Sequence, residues 1–458
     1  MRRGADAMRA NGLRKWLASG LSMALLLVTL GVGACASPLS GANTNITAQP
    51  PERLVTSDGA SPTATGSTLA PTTIYAIGGA GNLEALTTTT GATQWSVHVG
   101  GQSFSGQPSA CLDSVMQGIL FVTAVSSAGG QCQGHVTAID LQTHKVLWTT
   151  HLTVSYLAAQ AAVVYVSDST GVAALDARTD KRLWHYDEPE AYPAGFDLSA
   201  DVGYLSYAQT AQNPAVDAIQ LSDGSRLWHS VLAGAAYAGP IYSSDAQSVY
   251  VTTATLDPQN ATGENYQITA LNAATGQRVW GAQLFGGNYD MHVADGQVFV
   301  HTTGSDVSGN LRVFNAQTGQ ETANFGGSAL RGCVAFAPLI TAIAVYAPCS
   351  VPGRFIAALD PHTGAQLWRH PILSDFLAIG GADGKVVYAE AQGDSPITYA
   401  LRSSNGITIW RHPGSLATAT AGVALFVTGL TLYAYDGATG RPLWKNTTLG
   451  SKAQTLAA

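Results

Sequence analysis

Charge is what this chain has least of: only 11% of its 458 residues are Asp, Glu, Lys or Arg. A charge-laced coiled coil and a charge-swollen disordered chain are both excluded by that figure. Cysteine is scarce at five, with none adjacent and none spaced Cys-x-x-Cys, so the usual zinc and dithiol signatures are missing. Long apolar runs are missing too, because the longest, residues 21–30, falls short of the ~20 residues that span a bilayer. No His-x-x-x-His pair, Gly-x-Ser-x-Gly elbow or phosphate loop occurs. Lys and Arg do not cluster after residue 34, so nucleic acid is not an expected partner.

Glycine is abundant at 50 residues and apolar residues reach 46%, a profile that suits many short strands joined by tight turns. The N-terminus differs. Arg2, Arg3, Arg9, Arg14 and Lys15 against Asp6 give a balance of +4, and without it the formal charge falls from −7 to −11. This basic segment, the apolar run and the small residues before Cys35 predict a secretory signal over 1–34. Val32-Gly33-Ala34-Cys35 resembles the lipobox of bacterial lipoproteins, which implies cleavage before Cys35, its lipidation and an extracytoplasmic, membrane-anchored protein at the cell surface or in the periplasm. Residues 35–70, rich in Ser, Thr, Pro and Gly, read as the lipidated cysteine and a flexible tether.

From residue 71 one motif repeats nine times. Clear copies are Ala174-Leu175-Asp176…Trp184, Ala270-Leu271-Asn272…Gly276…Trp280 and Ala358-Leu359-Asp360…Gly364…Trp368. The others end at Trp95, Trp148, Trp228, Trp410 and Trp444, and the sixth ends at Ala323. Eight of the nine tryptophans sit at this one position. The motif reads as a hairpin: Asp or Asn starts the turn, Gly closes it with positive φ, and Trp covers the edge toward the next repeat. An apolar strand precedes each copy, after a smaller Gly- and Ala-rich segment, and copies lie 34 to 53 residues apart. Four strands in that period predict an all-β fold, a single β-propeller of four-stranded antiparallel blades over 71–458.

The repeats resemble the pyrroloquinoline-quinone (PQQ)-like propeller family, whose Trp-containing turns dock adjacent blades. Eight blades are the family norm, against nine by motif count. The resemblance makes Trp95, Trp148, Trp184, Trp228, Trp280, Trp368, Trp410 and Trp444 blade-docking residues and predicts a looser junction at Ala323. The tail 447–457 is expected to supply the strand that closes the ring beside Ile74–Ile77. Cysteines 111, 132, 333 and 349 occupy matched places, so disulfides Cys111–Cys132 and Cys333–Cys349 are expected in an oxidising compartment.

Members of this family include quinone-dependent dehydrogenases, which implies a test. Their adjacent-cysteine pair, acidic calcium site and long insertions have no counterpart in the sequence, so neither PQQ, calcium nor any other metal or cofactor is expected, and no catalytic residue is assigned. Phe104, Tyr156, Phe196, Tyr237, Tyr289 and Phe376 follow the motif Trp by eight to twelve residues, near the inner strands. With Asp290, and with Asp197, His292 and Asp375 nearby, they are candidates for a ring at one channel mouth, the alternative being packing between blades. The function expected is a non-catalytic envelope lipoprotein, monomeric in its body, that binds a protein or peptide partner. In anchor, size and repeat it resembles the propeller lipoprotein of the outer-membrane β-barrel assembly machinery. The alternatives are a PQQ-dependent oxidoreductase and a glycan-binding wall protein.

Overall fold

The computed structural model describes residues 73–457 except 78–80, 100–109, 126–133, 151–155, 169, 188–190, 210–213, 233–234, 236, 243–246, 257–263, 285–286, 304–309, 326–337, 350–353, 375, 393–394, 421, 429–430 and 448–453. At some strand ends, among them 110–114, 156, 237–242, 287–290, 376 and 454–457, it describes the backbone alone. Nine four-stranded antiparallel sheets form the ring, and no helix occurs among the described residues. The motif count is therefore the blade count. Blades are numbered here from the N-terminus by their outer strands: Thr93–His98, Lys145–Thr149, Arg182–Asp187, Arg226–Val231, Arg278–Leu284, Glu321–Asn324, Gln366–Pro371, Thr408–Pro413 and Pro442–Asn446.

The ring closes with the C-terminal strand. Gln454–Ala457 supplies the inner strand of blade 1 and pairs antiparallel with Thr73–Ile77, Ile74 opposite Ala457 and Ile77 opposite Gln454. Two side chains reinforce the seam: Trp444 Nε1 donates to the Thr88 carbonyl at 2.6 Å and Asn446 Nδ2 to that of Gly91 at 2.9 Å.

Each junction is built by residues that stand in a row across a blade. In seven blades the motif Ala is opposite the Trp on one side and an aromatic of the second strand on the other, as with Tyr250, Ala270 and Trp280, whereas blade 9 has Leu425 in the aromatic's place. An alanine is small enough for the two rings to meet over it. In seven blades their centroids lie 5.8–6.1 Å apart, with Tyr75, Phe121, Tyr165, Tyr204, Tyr250, Tyr346 and Tyr388 as partners. The Trp then reaches the next blade. Its Nε1 donates, at 2.6–2.9 Å, to the carbonyl directly after the turn-starting residue in seven junctions, for example Trp184 to Leu221 and Trp280 to Ala316.

The motif glycine has a second role besides its positive φ. A Cβ on Gly276 would lie 2.5 Å from the Trp228 ring, so the indole of blade 4 rests on bare backbone of blade 5. Where His144 and Asp180 replace glycine, both still adopt the left-handed conformation, at φ 58°. There Trp95 stacks on the His144 imidazole, 4.9 Å between centroids and 17° between planes.

The sixth junction corrects an expectation. Ala323 does leave the Trp position empty, but Phe325, two residues on and buried, fills the gap. Its ring would lie 3.2 Å from a Cβ on Gly364, in a cluster with Val345, Ala347 and Phe355. The junction is packed; what it lacks is the indole donor.

Candidate functional site

The motif turns use their chemistry locally. Asp176 Oδ1 accepts from Arg178 N, Thr179 N and Thr179 Oγ1 at 2.7–3.1 Å, and Asp360 does the same with His362 and Thr363. The threonine hydroxyl and backbone donors hold both carboxyls below the usual range. Asp140 uses its Oδ1 in the same way and gives its Oδ2 to Arg178 of the next blade at 3.1 Å.

The proposed channel mouth divides. Phe104 and Asp375 lie outside the described residues, whereas Tyr156, Tyr237, Tyr289, Asp290 and Phe376 fall on inner strands. They do not share one register. Tyr156 is opposite Ser167 and Phe196 opposite Leu205; counted from their hairpins, these are neighbouring rather than equivalent places. Phe196 itself departs from the mouth expectation. Its ring packs between blades 3 and 4, 6.5 Å from that of Tyr165, with Trp184 and Leu198 around it. Asp197 Oδ1 accepts from Leu198 N, and His292 stands against Phe299.

Cys349 ends the second strand of blade 7, is buried, and is disulfide-bonded. Its expected partner Cys333 lies outside the described residues, as do Cys35 and Cys132; Cys111 sits in the first strand of blade 2, opposite Thr123. Among the described residues no group of three His, Cys, Asp or Glu converges to hold a metal ion, so they do not supply the oxygen-rich calcium site that quinone chemistry implies.

One polar cluster was not foreseen. Asp217, wholly buried in the third strand of blade 4, accepts from Tyr186 OH at 2.6 Å, Tyr207 OH at 3.0 Å and His229 Nδ1 at 2.7 Å. Tyr186 comes from the outer strand of blade 3, so the carboxylate ties two blades together. Burial, and then Asp217, push the Tyr186 hydroxyl well above its ordinary range, and Tyr186 in turn raises Arg226. The sequence signal was an Asp directly before the motif Ala, at a place where other blades carry Thr, Ala, Tyr or another side chain. Three other histidines that follow the motif Trp also sit on outer strands: His185 pairs with Asp187, His370 meets Thr408 of the next blade, and His412 packs on Phe426 and Tyr435.

The chain is similar to several known proteins. A family model described as outer membrane protein assembly factor BamB matches residues 79–242 and 212–378. The outer membrane protein assembly factor BamB of Yersinia pestis is 27% identical over 277 residues, 55% of this chain and 64% of that relative, so less than two thirds of its length is spanned. Among solved structures, a eukaryotic initiation factor shares the fold with TM-score 0.60 at 9% identity, covering 84% of this chain and 98% of that one. BamB from Moraxella catarrhalis gives 0.44 at 17% identity, over 72% and 96% of the two chains. A quinohemoprotein alcohol dehydrogenase from Comamonas testosteroni gives 0.40 at 16% identity, over 74% and 66%.

Proposed function

The chain belongs to the family of the outer membrane protein assembly factor BamB, and from that premise we propose that it is a non-catalytic scaffold of the cell envelope, tethered through Cys35, whose propeller holds a protein partner in the assembly of outer-membrane proteins. The observation that carries the reading is the family match, whose two overlapping stretches together span blades 1 to 7. The motif chemistry agrees with it. Where a repeat carries the motif Asp, Thr, Gly and Trp, they are taken up by the turn and by the junction, which leaves the blades as a rigid support for exposed edges and loops.

Deletion of the gene in its own host tests this. The expected result is a lowered level of folded β-barrel proteins in the outer membrane, restored by the parent chain and poorly by Cys35→Ala, which loses the tether. Unchanged barrel proteins would sink the assembly role. Saturable binding of PQQ with calcium, together with dye reduction, would replace it with the oxidoreductase reading.

A further inference from the structure

The outer strands of blades 3, 4 and 5 share a feature the other six lack. Arg182-Leu183, Arg226-Leu227 and Arg278-Val279 occupy one register, each Arg opposite the second motif residue of its blade (Leu175, Ile219, Leu271). At the same place blade 1 has Thr93-Gln94, blade 2 Val146-Leu147, blade 6 Glu321-Thr322, blade 7 Gln366-Leu367, blade 8 Thr408-Ile409 and blade 9 Pro442-Leu443. The three arginines are exposed, and Leu183, Leu227 and Val279 are about half exposed, at 50%, 49% and 49%. In a chain of formal charge −7, three consecutive blades thus present one guanidinium and one aliphatic side chain each, at one height on the rim.

Two further observations bear on what such a rim receives. These strands are the last of their sheets, so their outer edge carries main-chain donors and acceptors that no strand among the described residues pairs. Three acidic side chains of blades 3 and 4 are engaged elsewhere, Asp176 and Asp223 with their own turns and Asp187 with His185, while the buried Asp217 also attracts Arg226. Arg226 is also held in place, because the Tyr186 hydroxyl it meets is fixed on Asp217. A cation positioned in this way loses less freedom when it binds a carboxylate than a free one does.

We propose that the rim of blades 3–5 is a docking surface for an extended acidic segment of a partner protein, in which carboxylates alternate with aliphatic side chains. The segment pairs with one of these strand edges and continues across the neighbouring blades, where the arginines meet its carboxylates and Leu183, Leu227 and Val279 its aliphatic side chains. The inference rests on the scaffold reading and names the chemistry of its partner.

The test titrates the full-length protein with three probes: a synthetic peptide of alternating glutamate and valine, the matching lysine–valine peptide, and phosphatidylglycerol vesicles. The glutamate peptide is expected to bind, and the lysine peptide is not. Arg182→Glu with Arg278→Glu, which leaves the Asp217 cluster untouched, weakens the glutamate peptide about tenfold. Leu183→Ser with Val279→Ser weakens it by a smaller factor. Equal binding of the two peptides, no binding of the glutamate peptide, or indifference to both variants overturns the proposal. Vesicle binding that depends on the same arginines overturns it in favour of an anionic lipid surface. Peptide binding that survives alongside unchanged barrel-protein levels in the deletion host would remove the assembly role and keep the docking surface.

Discussion

Junctions 5–6 and 6–7 solve one packing problem with different residues. At the first, Tyr250 and Trp280 meet across Ala270, both donate to the Ala316 carbonyl at 3.0 and 2.9 Å, and the indole rests on Gly319. At the second, the corresponding row is Phe299, Val313 and Ala323: the alanine has grown and the tryptophan has shrunk. Phe325 then reaches over Gly364 to fill the space that remains. Both junctions are packed, but only the first has the indole hydrogen bond. The same blade differs in a second way, because His301 takes the second-strand place held by Thr123, Ser167, Ser206 and Thr252 in blades 2–5. Shape is what closure of the ring demands, and the indole donor is an addition one junction omits.

The largest effect should come from emptying the standard junction. Trp280→Ala deletes a buried ring and is expected to cost about 3–5 kcal/mol in urea unfolding. A loss under about 1 kcal/mol would mean that the ring is not what joins the blades. The glycines sharpen the contrast. Gly276 and Gly364 have nearly the same φ, 68° and 71°, so alanine suffers similar backbone strain at each. At Gly276 the new methyl also meets a rigid indole at 2.5 Å, whereas at Gly364 it meets the Phe325 edge at 3.2 Å. Gly276→Ala is expected to cost about 2–4 kcal/mol and Gly364→Ala about 1–2 kcal/mol. Equal costs would show that φ alone selects glycine here.

His301 gives the sixth blade its own response to acid. Burial lowers its pKa from 6.5 to about 4. The folded state therefore binds fewer protons than the unfolded state between those values, and the stability it contributes is present above pH 6.5 and lost as pH falls toward 4. The shift corresponds to at most about 3 kcal/mol. His301→Thr, which installs the residue of blade 5, should flatten the unfolding midpoint between about pH 6.5 and 4.5. An unchanged slope would place the acid sensitivity elsewhere, with Asp290, the cross-strand neighbour of His301, as the first residue to examine.

Much of this was legible in the sequence because it is periodic. Trp at one place in eight repeats pointed to the docking role and the spacing to the blades; the choice between eight and nine stayed open in the sequence, and the nine sheets decide it for the motif count. Three features were not legible, each for a physical reason. The need for bare backbone at Gly276 comes from the Trp of the preceding blade, 48 residues upstream at position 228, and no local pattern carries it. Phe325 lies outside the motif and matters only because Ala323 is small. The mouth aromatics were placed by distance from the Trp, but the pairing of first and second strands shifts at Pro193/Gly195, Ala238/Ile241, Gly287/Tyr289 and Ile379/Gly381. Each such bulge moves the following side chains to the other face, so equal spacing did not become one ring.

The smallest effect separates turns that look alike. Asp176 and Asp360 start their turns with a carboxylate; Asn272 and Asn315 make the same three bonds with an amide oxygen. Only the carboxyls titrate, and their threonine and backbone donors hold them low in the folded state. A depressed folded pKa means that the contribution is present above the unfolded value of about 3.9 and disappears as pH falls through the folded one. Asp176→Asn with Asp360→Asn should therefore leave the unfolding midpoint near pH 7 little changed and make it less sensitive below about pH 4. If the double variant lost as much stability in acid as the parent, the carboxylate would be no better an acceptor than the amide. The Asp and Asn blades would then be interchangeable at every pH, and the charge in the repeat would serve some end other than its own turn.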